Sequence, residues 1–227
     1  AQIGLRLCKG GVPRRGKAAI APNFPQTVFS VQPDLSSRAI AIGMGCGASQ
    51  ALHDAIDYLL KEYSGTLIID ADGLNSLAMY GTDILKDKKC NVILTPHIKE
   101  FSRISGKTAG EVLAAPVACA QQLAREYAAT IVLKGAGTVI TDGRNIVINT
   151  RGCSALAKAG SGDMLAGYMC GSIARGLTPF EGAVCAAYTL GAAAELAAGE
   201  VTEYCATADD ILKNIPVAVK SFCVQAR

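Results

Sequence analysis

Short apolar runs recur along the chain, and each stops at a cluster of polar and glycine residues. Ala39-Ile40-Ala41-Ile42 ends in Gly43-Met44-Gly45-Cys46-Gly47, and Leu67-Ile68-Ile69 ends in Asp70-Ala71-Asp72-Gly73. Val92-Ile93-Leu94 ends in Thr95-Pro96-His97, and Ile131-Val132-Leu133 ends in Lys134-Gly135-Ala136-Gly137-Thr138. Such runs predict buried strands. Between them the spacing turns helical. From Ser49 to Tyr63 apolar residues fall at 52, 55, 56, 59, 60 and 63, which line one face of a helix. His53 falls on the polar side of that helix and is expected at the surface. Val112 to Tyr127 reads as one helix. Val139-Ile140 and Ile146-Val147-Ile148 flank Asp142-Gly143, a hairpin signal. The last third reads as three helices, Asp163 to Ala174, Phe180 to Ala198 and Ala208 to Phe222.

Strands alternating with helices predict an α/β fold, a mainly parallel central sheet with helices on both faces. No linker, repeat or low-complexity stretch divides the chain, so residues 1–227 are read as one domain. The polar and glycine clusters all sit at the carboxyl ends of predicted strands, where open α/β sheets bind ligands.

Composition narrows the class. Half of the 227 residues are hydrophobic and 18% are charged, which argues against disorder. The net charge of +3 is scattered, and aromatics are too sparse for base-stacking platforms, so no nucleic-acid partner is expected. The nine cysteines form no Cys-x-x-Cys pair and read as buried thiols of a reducing, cytoplasmic protein. Gly182 to Ala194, the longest apolar candidate, is too short to span a bilayer, so no membrane partner is expected. Ala1 to Gly11 lacks the order of a signal peptide and reads as the tail of a helix entering a loop.

The strongest chemical signal is the run from Asn149 to Asp163, ending in Gly160-Ser161-Gly162-Asp163 before an apolar helix. Small residues there let backbone N–H groups approach a phosphate, and the helix dipole favours the anion. Asp163 in the same turn can take the proton of a substrate hydroxyl beside the phosphate it attacks; alternatively it merely caps the helix. Lys134 to Thr138 offers amides, a hydroxyl and a cation to a nucleotide, or is a plain glycine turn. His97 is either a ligand contact or a helix-start residue. In Asp70-Ala71-Asp72-Gly73-Leu74-Asn75 a helix cap explains one Asp, not two with an Asn. Neither a P-loop nor a dinucleotide Gly-x-Gly-x-x-Gly is present.

Taken in order, Ile42 to Gly47, Asp70 to Asn75, Leu94 to His97, Lys134 to Thr138 and Ala157 to Asp163 resemble the nucleotide-dependent NAD(P)H-hydrate dehydratases, relatives of the ribokinase-like kinases. The resemblance implies a ribokinase-like fold and the repair of NADH or NADPH hydrated at C6 of the nicotinamide ring. ADP or ATP is the implied co-substrate, with Mg2+. Carried over by motif, Asp163 is the catalytic base, and Gly45, Gly47, Asp72, Asn75, His97 and Asp163 contact the hydrated nucleotide. Lys134, Gly135, Ala136, Gly137, Thr138, Gly160, Ser161 and Gly162 contact the nucleotide that is spent.

Two features depart from the family. Gly152-Cys153 stands where a Gly-Asn is usual, and the family's opening strand and glycine-rich loop are not found in Ala1 to Ser37. A sheet missing a strand exposes an edge, so the chain is expected either to associate, as a homo-oligomer or with a partner, or to be a portion of a longer protein. Two alternatives stay open: a small-molecule kinase of the same superfamily, and an inactive nucleotide-binding remnant or assembly subunit.

Overall fold

In the computed structural model, which describes residues 8–11, 27–30 and 32–225, six strands form one sheet. They are β3 (Ala39–Ile42), β4 (Thr66–Ile69), β5 (Asn91–Leu94), β6 (Thr130–Leu133), β7 (Thr138–Thr141) and β8 (Ile146–Asn149). Their order in space is their order in sequence. β3 to β6 run parallel, and β7 and β8 return as an antiparallel hairpin. The hairpin turn is the expected Asp142-Gly143 segment; Asp142 Oδ1 accepts from the Arg144 and Asn145 amides.

Sequential parallel strands with right-handed crossovers put every connecting helix on one face. These helices are α1 (Gln50–Glu62), α2 (Asp72–Tyr80), α3 (Ile98–Ser105), α4 (Ala109–Ala114) and α5 (Pro116–Tyr127). The other face is covered by α6 (Ser161–Ala174), α7 (Pro179–Val201) and α8 (Ala208–Gln225). Alternation along the strands feeds both layers. Leu67, Ile69, Val92, Leu94, Ile131 and Leu133 pack with the first helices, while Ile68, Ile93 and Val132 pack with α6 to α8. Each such fully buried side chain contributes about 1.5–3 kcal/mol. The second layer is alanine-rich, with Ala183, Ala186, Ala193, Ala194 and Ala197 of α7 fully buried, which lets helices approach closely.

Several expectations need correcting. The helix read from Val112 to Tyr127 is two helices, because Pro116 has no N–H and disfavours helical geometry at the residue before it; Ala115 sits at φ −143°, ψ 60°. His53 is 8% exposed, not a surface residue: it flanks the apolar stripe, and its Nε2 lies 3.0 Å from the Gly81 carbonyl. Cys8–Gly11 is a strand (β1), not a helix tail, and pairs in parallel with β2 (Thr27–Ser30) as a separate two-stranded sheet. The expectation for Ala1 to Leu7 lies outside the described residues. Two strands therefore exist in the segment where none was recognised, although β3 remains an edge of the six-stranded sheet. Among the described cysteines, Cys90 and Cys119 are buried but Cys46 and Cys205 are exposed. α7 is longer than expected and apolar enough to cross a membrane by length and composition, yet 61% of that window is buried in the protein.

α7 presses its Gly191 onto the chain leaving β8. A Cβ there would stand 2.6 Å from the Arg151 carbonyl carbon and oxygen. Gly191→Ala is therefore expected to lower stability by about 1–3 kcal/mol through overpacking. Gly199, in the same helix with nothing near its Cβ direction, should behave oppositely: Gly199→Ala should stabilise by up to about 1 kcal/mol. Urea unfolding of both variants checks the pair of signs.

Candidate functional site at the carboxyl rim of the sheet

The ends of β3 to β6 bring the polar clusters to one rim. Gly43, after β3, has φ +111°, and a Cβ would lie 2.1 Å from the Asp70 carbonyl oxygen and 2.6 Å from the Gly73 nitrogen. Only glycine fits, so this residue locks the first two strand ends together. Gly45 and Gly47 also have positive φ, but their Cβ directions are open and both are exposed, leaving that loop facing solvent. The loop is tied to the second cluster through the Gly47 amide, which donates to Asp72 Oδ2 at 2.8 Å. Asn75 accepts from Arg103 at 2.7 Å, joining α2 to α3.

The two aspartates of the second cluster thus separate. Asp72 opens α2 and holds the glycine loop. Asp70 is 2% exposed, and its Oδ1 accepts from the Lys134 ammonium at 2.8 Å. Lys134 ends β6 and is held against β5 by its amide, which donates to the Pro96 carbonyl, and by a parallel bridge to His97. His97 caps α3: its Nδ1 accepts from the Lys99 and Glu100 amides at 3.1 and 3.2 Å, and Glu100 returns a carboxylate oxygen to the His97 amide. Glu100 is buried, with one oxygen 3.4 Å from His97 Nε2 and the other 3.9 Å from the Lys134 ammonium. The helix-start reading of His97 is therefore correct, and its half-exposed ring still faces solvent at the rim.

The turn Gly160-Ser161-Gly162-Asp163 starts α6 over this cluster. Gly160 caps it with φ +89° and contributes no side-chain hydrogen bond. A Cβ on Gly162 would stand 3.1 Å from Asp70 Oδ2 and 3.7 Å from the Lys134 ammonium, so the helix begins directly against the ion pair. Asp163 is exposed in the first turn and takes no hydrogen bond from any described residue. Gly135, Ala136 and Gly137 are exposed; the Thr138 hydroxyl closes their turn by donating to the Gly135 carbonyl at 3.0 Å.

Two clasps hold the approach to this turn. Glu195 of α7 accepts from the Gly152 amide at 2.6 Å and pairs with Arg151 at 2.6 Å, raising the Arg151 guanidinium above its usual range through that hydrogen bond. Glu203 accepts from the Ser154 hydroxyl and amide, which hold its carboxyl below the usual range. Lys158 donates to three backbone carbonyls, those of Glu203, Tyr204 and Ala206. Sequence patterns did not single out Asp70, Glu100, Glu195, Glu203 or Lys158 as site residues. Asp70, Glu100 and Lys158 lie inside the sequence segments singled out, but none was assigned a role; the N-cap of α2 is Ala71, with no side-chain cap, so a helix cap explains neither aspartate of Asp70 to Asn75. Among the described residues no group of three His, Cys, Asp or Glu side chains is placed to hold a metal ion.

Comparison with known proteins matches this architecture to a class and then a family. A ribokinase-like superfamily protein from Enterococcus faecalis shares the fold, with a TM-score of 0.76 at 21% identity over 95% of this chain and 77% of that one. The family model described as NAD(P)H-hydrate dehydratase matches residues 17–217, and the chain belongs to that family. It is 36% identical over 184 residues to the bifunctional NAD(P)H-hydrate repair enzyme Nnr of Moorella thermoacetica, covering 80% of this chain and 34% of that protein. It is 33% identical over 185 residues to the ADP-dependent (S)-NAD(P)H-hydrate dehydratase of Neisseria meningitidis, covering 78% and 62%. The chain thus spans about a third of the bifunctional relative's length. The ADP/ATP-dependent NAD(P)H-hydrate dehydratase of Bacillus subtilis, co-crystallised with ATP/Mg2+ and soaked with CoA, superposes with a TM-score of 0.85 at 28% identity over 96% of this chain and 82% of that one.

Because His97 caps α3, its capping role can be tested apart from any ligand contact. His97→Ala should cost about 1 kcal/mol of stability through loss of the cap, and His97→Asn, which restores a capping side chain, should recover most of it. Chemical denaturation reads the difference independently of any activity.

Proposed function

We propose that the chain restores hydrated NADH and NADPH by nucleotide-dependent dehydration. The observation that carries this reading is the family match across residues 17–217, with Asp163 in the first turn of α6 beside Gly162, which lies against the Lys134–Asp70 pair. ADP or ATP lies along the exposed Gly135–Gly137 turn, its phosphates toward Gly160, Ser161 and Gly162, whose amides and helix dipole favour an anion. The hydrated nicotinamide faces Gly45, Gly47, Asp72, Asn75 and His97. Asp72 and Asn75 act there through the loop and helix they fasten. Mg2+ fits as an ion carried on the nucleotide phosphates, since no dedicated protein cage for it exists among the described residues and Mg2+ ordinarily takes only one or two carboxylates beside phosphate. When bound it neutralises phosphate charge.

The chemistry follows from the placement of Asp163. Its unpartnered carboxylate takes the proton of the C6 hydroxyl as that oxygen attacks the terminal phosphorus, and the nucleotide leaves one phosphate shorter. The C6 phosphate ester is a better leaving group than hydroxide. The ring nitrogen lone pair expels it, and loss of a ring proton restores the double bond. Positioning and electrostatic stabilisation supply most of the rate, so a rigid turn built on α6 suits the task.

The reading is tested by incubating the chain with hydrated NADH and ADP or ATP and following the return of NADH absorbance. No return with either nucleotide, from a chain that binds it, would refute the reaction. Asp163→Asn should reduce turnover by about 10²–10⁴-fold, the usual worth of a general base, and leave nucleotide affinity nearly unchanged. Retention of more than about a tenth of the parent rate would remove Asp163 from the base's role.

A further inference from the structure

Asp70 is held from several sides at once. Its amide donates to the Ile42 carbonyl, its own carbonyl accepts from the Gly73 amide, and Gly43 is pressed against that carbonyl. The next residue, Ala71, has φ 47° and ψ −115°, a conformation glycine adopts readily and alanine does not. That strained turn folds the Ala71 amide back onto Asp70 Oδ1 at 2.8 Å, the same oxygen that accepts from Lys134. Side-chain direction and backbone are both fixed, and strain of this kind collects where a particular geometry is needed. A buried ion pair by itself is a poor stabilising device, often no better than apolar packing of the same volume. Its location at a ligand rim therefore points to a task other than holding the fold.

We propose that Asp70 is a positioning residue that holds the Lys134 ammonium against the first turn of α6, where the ammonium donates to the phosphate groups of the bound nucleotide. This rests on the nucleotide-binding reading above. An ammonium has three N–H donors. One goes to Asp70, and Glu100 at 3.9 Å is beyond hydrogen-bond distance, which leaves two for a ligand. The Lys134 side chain is 24% exposed, so it stays open to a ligand while anchored by Asp70. Gly162 supplies independent geometric support: its would-be Cβ stands 3.1 Å from Asp70 Oδ2 and 3.7 Å from the Lys134 ammonium, so a side chain there would crowd the Asp70 carboxylate. Glu100 contacts the same cluster from the His97 side, so the ammonium stands between the nucleotide turn and the histidine.

The experiment is a double-mutant cycle on the whole chain, with ADP affinity measured by calorimetry and turnover measured with hydrated NADH. Asp70→Asn and Lys134→Met should each weaken ADP binding by about tenfold or more, the worth of a hydrogen bond to a charged group. The double variant should be no worse than the weaker single one, because both remove the same interaction. Asp70→Asn leaves the Lys134 charge without its partner and should lower the melting temperature, so affinities are compared only at temperatures where each variant is folded. Gly162→Ala removes neither charge but crowds the Asp70 carboxylate, and should lower ADP affinity in the same direction without adding to the loss in Asp70→Asn; it serves if Asp70→Asn does not fold. Parent-like ADP affinity in folded Asp70→Asn or Gly162→Ala, or losses that simply add, would overturn the proposal. Absence of dehydration by the parent would sink the proposed reaction, while the ADP-binding cycle would still decide the role of Asp70.

Discussion

The start of α6 lies close against the Asp70–Lys134 ion pair at Gly162, and much of the molecule is arranged to make that contact. Asp70 and Lys134 come from the ends of two strands that are not neighbours, with β5 between them. Their charges meet across β5 in a register fixed by the pairings of Ile69 with Leu94 and Leu94 with Ile131: β4 and β5 stop level, and β6 runs two residues further before Lys134. α6 reaches them from the opposite layer, crossing the rim on the alanine-rich packing of α6 against α7. Both hydrophobic layers therefore converge on one polar point. Clusters from distant parts of the sequence are brought together by the core and then fastened to one another by contacts such as Lys134 to Asp70 and Gly47 to Asp72.

Much of this was legible in the chain's pattern. The buried strands and the hairpin at Asp142-Gly143 follow from runs such as Leu67-Ile68-Ile69, because a strand buried on both faces must be apolar throughout. The polar clusters could be placed at the carboxyl rim for the same reason. The residues whose role or placement the pattern did not give act through tertiary contacts. Glu100 looks like an ordinary capping-box acid, and its approach to Lys134 depends on a β5–β6 pairing that no local pattern encodes. His53 sits beside an apolar stripe, and helical periodicity alone does not say that the Gly81 carbonyl closes over it. Pro116 was visible in the sequence, yet helical spacing on both sides concealed the break it enforces at Ala115.

The glycines at the site also divide by physical role. Gly43 is required by backbone that a Cβ would strike and Gly162 sits tightly against Asp70, whereas Gly45 and Gly47 face open space with positive φ. The first pair belongs to the frame of the site. The second pair belongs to the surface a ligand would meet, where backbone conformation and absence of bulk matter more than packing. A glycine-rich motif read from sequence merges these two roles, and only the surroundings separate them.

Lys158 joins two surface segments by donating to the Glu203, Tyr204 and Ala206 carbonyls. All three N–H donors of its ammonium are used, so the link between α7 and α8 and the approach to Gly160 behave as one joint. An insertion or deletion in the 203–206 link would shift the seat of the ammonium and drag the start of α6 with it. Exposed links between helices are usually the places where related chains vary most in length; here the length of the link is part of the geometry of the turn.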